Sequence, residues 1–230
     1  VNAWMNIGDF KQIFWWEYIH RLWGRLIGLV FFLPFVFFIV TQSIKKELRI
    51  RIVALFFLGG LQGGLGWWMV KSGLSVDPSV SQYRLATHLG VAFLILGLLT
   101  WTILDLFTHR DKIGSGLQFY QAVVVVGLVS LTVIGGALVA GLDAGLIYNT
   151  FPLMEGHIVP PDYGDLEPFW KNIFENTSAV QFNHRILATL TAIAVVIFSV
   201  SLRSKKSDKF FMQPIYALLT VITLQFSLGV

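Results

Sequence analysis

His20-Arg-Leu-Trp-Gly-Arg-Leu-Ile-Gly-Leu-Val-Phe-Phe-Leu-Pro-Phe-Val-Phe-Phe-Ile-Val-Thr41 holds only two charges, Arg21 and Arg25, both near its start. An apolar run of about 20 residues is the length at which a helix crosses the hydrocarbon core of a bilayer. Five more such runs follow, at 50–70, 85–107, 119–141, 182–202 and 212–230. Composition agrees: 55% of the 230 residues are hydrophobic and 13% charged, against about a quarter charged in a soluble domain. The expected fold is an all-α, polytopic transmembrane bundle with about six helices.

Charge placement orients the bundle. Ten of the seventeen Lys and Arg residues lie in three short connections: Lys45, Lys46, Arg49 and Arg51; Arg110 and Lys112; Arg203, Lys205, Lys206 and Lys209. These alternate with base-poor connections, the positive-inside pattern, so the basic loops face the cytoplasm or its organellar equivalent. Residues 1–19, 71–84 and 142–181 then face outward. A net charge of +4 spread in this way gives no clustered basic face for nucleic acid. The absence of cysteine excludes disulfides, thiolate ligands and iron–sulfur clusters.

Val1 is not an initiator methionine and Val230 ends inside an apolar run, so the chain reads as cut at both ends. Residues 1–16 read as a loop. Trp15, Trp16 and Tyr18 suit the water–lipid boundary, which places Glu17 and His20 near the outer surface. Pro34 falls inside the first span, where neighbouring helices can tolerate a kink. In the second span, Gly59 with Gly63 and Gly60 with Gly64 form two overlapping small-xxx-small pairs. They allow either close helix packing, the plainer reading, or close approach of a flat ligand. The fourth span repeats the theme with Gly135, Gly136, Gly141 and Gly145. Loop 142–181 holds four of the seven prolines and six of the thirteen acids, without helical periodicity. Forty residues is long for an incidental connection and suggests a cap on the outer surface.

A repeat runs through the chain. Glu17-Tyr-Ile-His-Arg21 opens one apolar run and Gln181-Phe-Asn-His-Arg185 opens another 164 positions later, while Leu61-Gln-Gly-Gly-Leu-Gly66 returns as Leu224-Gln-Phe-Ser-Leu-Gly229. His20, His88 and His184 all enter spans from the outer side. Taken singly, each reads as a hydrogen-bonded core residue. Three at matching depth within a repeat point to metal or haem ligation, because an imidazole in lipid is costly without a partner. Glu17 shares a helical face with His20, either as a proton-handling group or as an ion pair with Arg21. Arg21, Arg25, Arg84 and Arg185 suit haem propionates or snorkel to the surface. His109 and His157 read as solvated loop residues, and Asp105 as interfacial.

Taken with Ala86-Thr-His-Leu-Gly90, Gly135-Gly-Ala-Leu-Val-Ala-Gly-Leu-Asp-Ala-Gly145, Tyr148-Asn-Thr-Phe-Pro-Leu-Met154 and Phe182-Asn-His-Arg185, the chain resembles the haem A synthase family in its cysteine-free mitochondrial and bacterial form. The resemblance implies eight helices in two four-helix halves, of which this chain covers helices two to seven. It implies a substrate half at 1–117 and a cofactor half at 118–230. His20 and His88 would be the haem-iron ligands of the first half and His184 one ligand of the second, its partner falling near position 252. It also implies haem B as cofactor, haem O as substrate, oxidation of the haem O C8 methyl to a formyl, and Glu17 as the catalytic carboxylate. Haem O synthase and cytochrome oxidase assembly factors are the implied partners, and a bacterial inner membrane or the mitochondrial inner membrane the implied location. Two rivals stay open: a bis-histidine b-type cytochrome that only carries electrons, and a transporter or haem chaperone. The rival cytochrome needs ligands at two depths, and a transporter needs midplane charges and broken helices that are not evident.

Overall fold

The computed structural model describes residues 6–72, 80–107, 116–203 and 209–229. His109, Arg110, Lys112, Lys205, Lys206 and residues 73–79 lie outside them. The α-helices among the described residues are α1 (Ile7–Val40), α2 (Lys46–Ser72), α3 (Gln82–Phe107), α4 (Gly116–Gly141), α5 (Asn172–Glu175), α6 (Thr177–Arg203) and α7 (Lys209–Leu228). Lipid offers no hydrogen-bond partner to a backbone, so an apolar span closes its bonds internally as a helix. Hydroxyls within the spans obey the same rule: Thr87, Thr102 and Thr189 each donate to the carbonyl four residues back, and of Thr132 and Thr191 one donates to such a carbonyl and the other to the first one's hydroxyl.

Among the described residues five helices are long and apolar enough to cross a membrane, and the protein is a multi-pass membrane protein. The sixth expected span is helical as well, with Met212–Leu228 as its described apolar stretch. The start of the first helix also differs from expectation. Residues 7–16 are helical rather than loop, and α1 runs for 34 residues, about 51 Å at the usual rise. Hydropathy marks the part of a helix that sits in lipid; the hydrogen-bond ladder continues beyond it wherever no breaker intervenes. Pro34 lies within α1 as expected.

The chain divides into two compact units, one made of Val1–Val80 and Val91–Arg110, the other of Ser81–Gly90 and Asp111–Val230. In the first, α1 meets α2 through stacked rings: Phe35 and Phe56 lie 4.5 Å apart and nearly parallel, with Phe32 also against Phe56. At the inner end, Arg51 on α2 pairs with Asp105 on α3, which also accepts from Trp101 Nε1 at 3.2 Å. Asp105 is thus half of an ion pair rather than simply an interfacial acid. Among the described residues nothing lies within 4 Å of the positions a side chain would take at Gly59, Gly60, Gly63 or Gly64. Within the described residues these glycines line an open helix face.

The second unit is built on an antiparallel pair, α4 against α6. Val125, Ala137 and Leu138 of α4 are buried with Thr191, Val195 and Ser199 of α6. Polar bonds tie the seam along its length. Gln118 Nε2 donates to the Ser201 carbonyl, and the hydroxyls of Thr132 and Thr191 bond at 2.8 Å. Such bonds between membrane helices are worth about 0.6 kcal/mol each.

Candidate functional site

His184 stands seven residues into α6, and its ring rests on the α4 backbone. A methyl group at Gly135 would come 3.3 Å from His184 Nδ1, and one at Gly136 would come 3.1 Å from Cε1. Both approaches are tighter than ordinary contact, so the paired glycines are the room the imidazole occupies. Among the described residues His184 Nδ1 is buried without a hydrogen-bond partner. An imidazole kept within a lipid-spanning helix is costly without a partner, and ligation of a metal through the other ring nitrogen fits its retention there. Among the described residues no three His, Asp or Glu side chains converge to hold a metal ion. The seat on Gly135 and Gly136 fits an imidazole that would ligate a haem iron.

Above this ring lies the outer segment, which is more ordered than its composition suggests. The expectation of forty residues without regular elements does not hold. Short 3-10 turns form at Ala144–Leu146 and Phe169–Lys171, α5 follows, and α6 starts at Thr177, five residues before its apolar run. The missed boundary has a local cause. Asn176 caps α6 by accepting from the Ala179 amide at 3.0 Å, and an asparagine cap satisfies one of the orphan donors at a helix start.

Tyr148 is the centre of the cap. Gln181 grips its backbone from both sides: Gln181 Nε2 donates to the Tyr148 carbonyl at 2.9 Å, and the Tyr148 amide donates to Gln181 Oε1 at 3.3 Å. Arg185, next to His184, donates to the Tyr148 carbonyl at 2.7 Å and to the Thr150 carbonyl at 2.8 Å. The Tyr148 hydroxyl donates to Asp162 at 2.9 Å, and Ser178 donates to the other oxygen of the same carboxylate. Asn172, fully buried, donates to the Leu166 and Phe169 carbonyls and accepts from the Leu166 amide. His157 joins the same segment through backbone bonds to Met154, which is itself buried.

These bonds set the electrostatics of the cap. Burial pushes the Asp162 carboxyl up, but bonds from Ser178, Tyr148 and its own backbone outweigh burial and hold it below its ordinary value. The hydrogen bond to Asp162, then burial, raises the Tyr148 phenol above its ordinary value. Of these cap residues, Arg185 is a site candidate from the sequence, Gln181 and Tyr148 figure there only through the repeat and the motif that they open, and Asp162 and Asn172 carry no such signal. The asparagine ahead of the fifth span, Asn176, is the one signal that could have extended the helix and brought Gln181 inside it.

The remaining candidates are placed as follows. His88 sits six residues into α3, half-buried with its Nδ1 buried, in the same unit as His184. Arg84, one turn before it, is also half-buried. His20 lies exposed on α1, in the other unit. Glu17 is one turn away on the continuous helix and pairs with Arg21 at 3.2 Å, both side chains well exposed. Trp15 and Trp16 beside them are exposed, as rings at a lipid boundary would be in a protein stripped of lipid.

Comparison with known proteins supplies the family. The family described as cytochrome oxidase assembly protein, COX15-CtaA, matches residues 2–230. A haem A synthase of Nitrosospira multiformis is 44% identical over the whole of this chain and 66% of its own length. One of Parvibaculum lavamentivorans is 51% identical over 85% of this chain and 57% of its own length. One of Rhizobium johnstonii is 46% identical over the whole of this chain and 63% of its own length. The chain thus spans less than two thirds of these relatives. No solved structure matches it. With its His184 cradle on α4, its membrane-spanning helices and a family match across nearly every residue, the chain belongs to the haem A synthase family of cytochrome oxidase assembly proteins.

Proposed function

We propose that the protein is an integral membrane oxidoreductase of haem biosynthesis that oxidises the C8 methyl of haem O to a formyl, giving haem A for cytochrome oxidase. Haem B is the bound cofactor and supplies the redox chemistry of its iron. The observation that carries this reading is the His184 imidazole seated on the α4 backbone at Gly135 and Gly136. With Nδ1 buried against Gly135, Nε2 is the nitrogen left for iron.

In this reading His184 ligates haem B within the half at 118–230, and His20 and His88 hold haem O in the half at 1–117. Glu17 handles protons or stabilises developing positive charge as the methyl carbon is oxidised, and Arg21 holds its carboxylate by the ion pair. Arg84 and Arg21 offer guanidinium groups to haem propionates. Arg185 keeps the cap over the His184 end through two loop carbonyls and offers its remaining donors to a propionate. The open glycine face of α2 leaves room for a flat macrocycle. Haem O synthase delivers the substrate, and the site of action is the bacterial inner membrane or the mitochondrial inner membrane.

The test is chromatography of acid-extracted haems from a host without haem A, expressing the full-length gene together with a haem O synthase. A formyl haem is expected. Extracts holding only haems B and O overturn the enzyme reading in favour of an electron carrier or a haem handler. Replacing Glu17 with Gln is expected to leave both haems bound and stop haem A formation; normal haem A from that variant overturns the role given to Glu17.

A further inference from the structure

Two contacts fasten the outer end of the His88 helix to the His184 unit. The first is backbone on backbone. α4 ends at Gly141, and a methyl group there would lie 2.5 Å from Gln82 Cα and 3.1 Å from Gln82 N. No side chain fits at that distance, so glycine is what lets α3 start where it does. The second is polar. Tyr83, the next residue, donates its hydroxyl to Glu175 Oε1 at 2.9 Å. Glu175 closes α5, and α5 is locked to α6 through Asn172, Asn176 and the α6 cap bond. Residues Ser81–Gly90 accordingly belong to the compact unit of α4 and α6, whereas the rest of α3 belongs to the other.

His88 lies five residues past Tyr83, about a turn and a half along the same rigid helix. Whatever sets the height and rotation of Gln82 and Tyr83 therefore sets those of the His88 imidazole. We propose that Gly141, Tyr83 and Glu175 are positioning residues for His88: they hold the substrate-side ligand in the same frame, α4, α5 and α6, that holds His184. The inference rests on the reading of His88 as a haem O ligand. An axial imidazole displaced by a few tenths of an ångström still permits the protein to fold, but it binds its iron less well, so substrate affinity falls before anything else does.

The test uses the full-length protein purified with both haems. Tyr83→Phe and Glu175→Ala each remove the latch, and Glu175→Gln keeps an oxygen that accepts from Tyr83. Haem O retained per protein and the KM for haem O are measured together with haem B content and kcat. Loss of one such bond predicts about a threefold to tenfold rise in KM for the first two variants. Haem B content should be unchanged, and Glu175→Gln should behave as wild type. Gly141→Ala should lose haem O almost wholly. An unchanged KM in both latch variants, or a parallel loss of both haems in them, overturns the proposal. Wild-type protein that never retains haem O overturns the functional reading beneath it instead.

Discussion

Around His20 the flanking residues bond to each other; around His184 they bond to another segment of the chain. Glu17 and Arg21 form an exposed ion pair on one helix face, whereas Gln181 and Arg185, at the equivalent positions of the repeat, grip the backbone of Tyr148 and Thr150. The chemical difference is a single group. An amide donates and accepts at once, so Gln181 can satisfy both the carbonyl and the amide of Tyr148. A carboxylate only accepts. The glutamine has been committed to structure, and the glutamate at position 17 has no such duty. The glycines differ in the same sense: those on α2 face open space, while those on α4 are filled by the His184 ring.

The largest effect that would sharpen this contrast is expected from making the two copies alike. Gln181→Glu removes the donor to Tyr148 and places a charge at a buried position. Loss of about 3 kcal/mol or more is expected, read as a fall in the thermal midpoint of the detergent-solubilised protein. Glu17→Gln, its mirror image, should leave that midpoint within error, since exposed ion pairs contribute little. Equal effects from the two would erase the distinction. Next comes Gly136→Ala, whose methyl must displace the His184 ring; overpacking of about 1–3 kcal/mol and loss of the haem B absorbance are expected. Gly60→Ala, facing open space, should be silent in the thermal midpoint.

A pH titration separates the regions more gently. The Asp162 carboxyl is held below its usual 3.8 in the folded cap, so its contribution is complete above that value and is lost as pH falls through the lower folded one. The Tyr148 phenol is held above its usual 10.0, so its contribution is complete below that value and is lost as pH rises through the higher folded one. The cap should therefore stay closed from about pH 4 to about pH 10 and loosen outside that window. Hydrogen exchange of the 144–166 peptides, corrected for intrinsic rates, reports it; early loosening near neutral pH would show that Asp162 does not hold the cap. The smallest effect is expected from Thr132→Val, which removes one bond across the α4–α6 seam and should cost about 0.6 kcal/mol.

Much of the fold was legible because lipid leaves so few options. Each long apolar run is a helix, and each of the duplicated His-Arg pairs lies on one, on α1 and on α6. What went unread lies in water. The start of α1 at Ile7 and of α6 at Thr177 depend on ladder continuation and an asparagine cap, neither of which changes hydropathy. The cap was read as irregular because its order comes from side chains bonding distant backbone, with Gln181 reaching back 33 positions to Tyr148. Hydrophobic periodicity carries no trace of such bonds.

The amino-acid order alone determined that the chain crosses a membrane several times and that its spans are helices. These follow from transfer energies and charge, which are properties of each residue summed along a window. Only the tertiary structure decided that Gly135 and Gly136 seat the His184 ring, that Gly141 admits the start of α3, and that Arg185 serves the cap. Those depend on which helices lie side by side, and van der Waals contact and hydrogen-bond direction fall off within an ångström or so of the right arrangement.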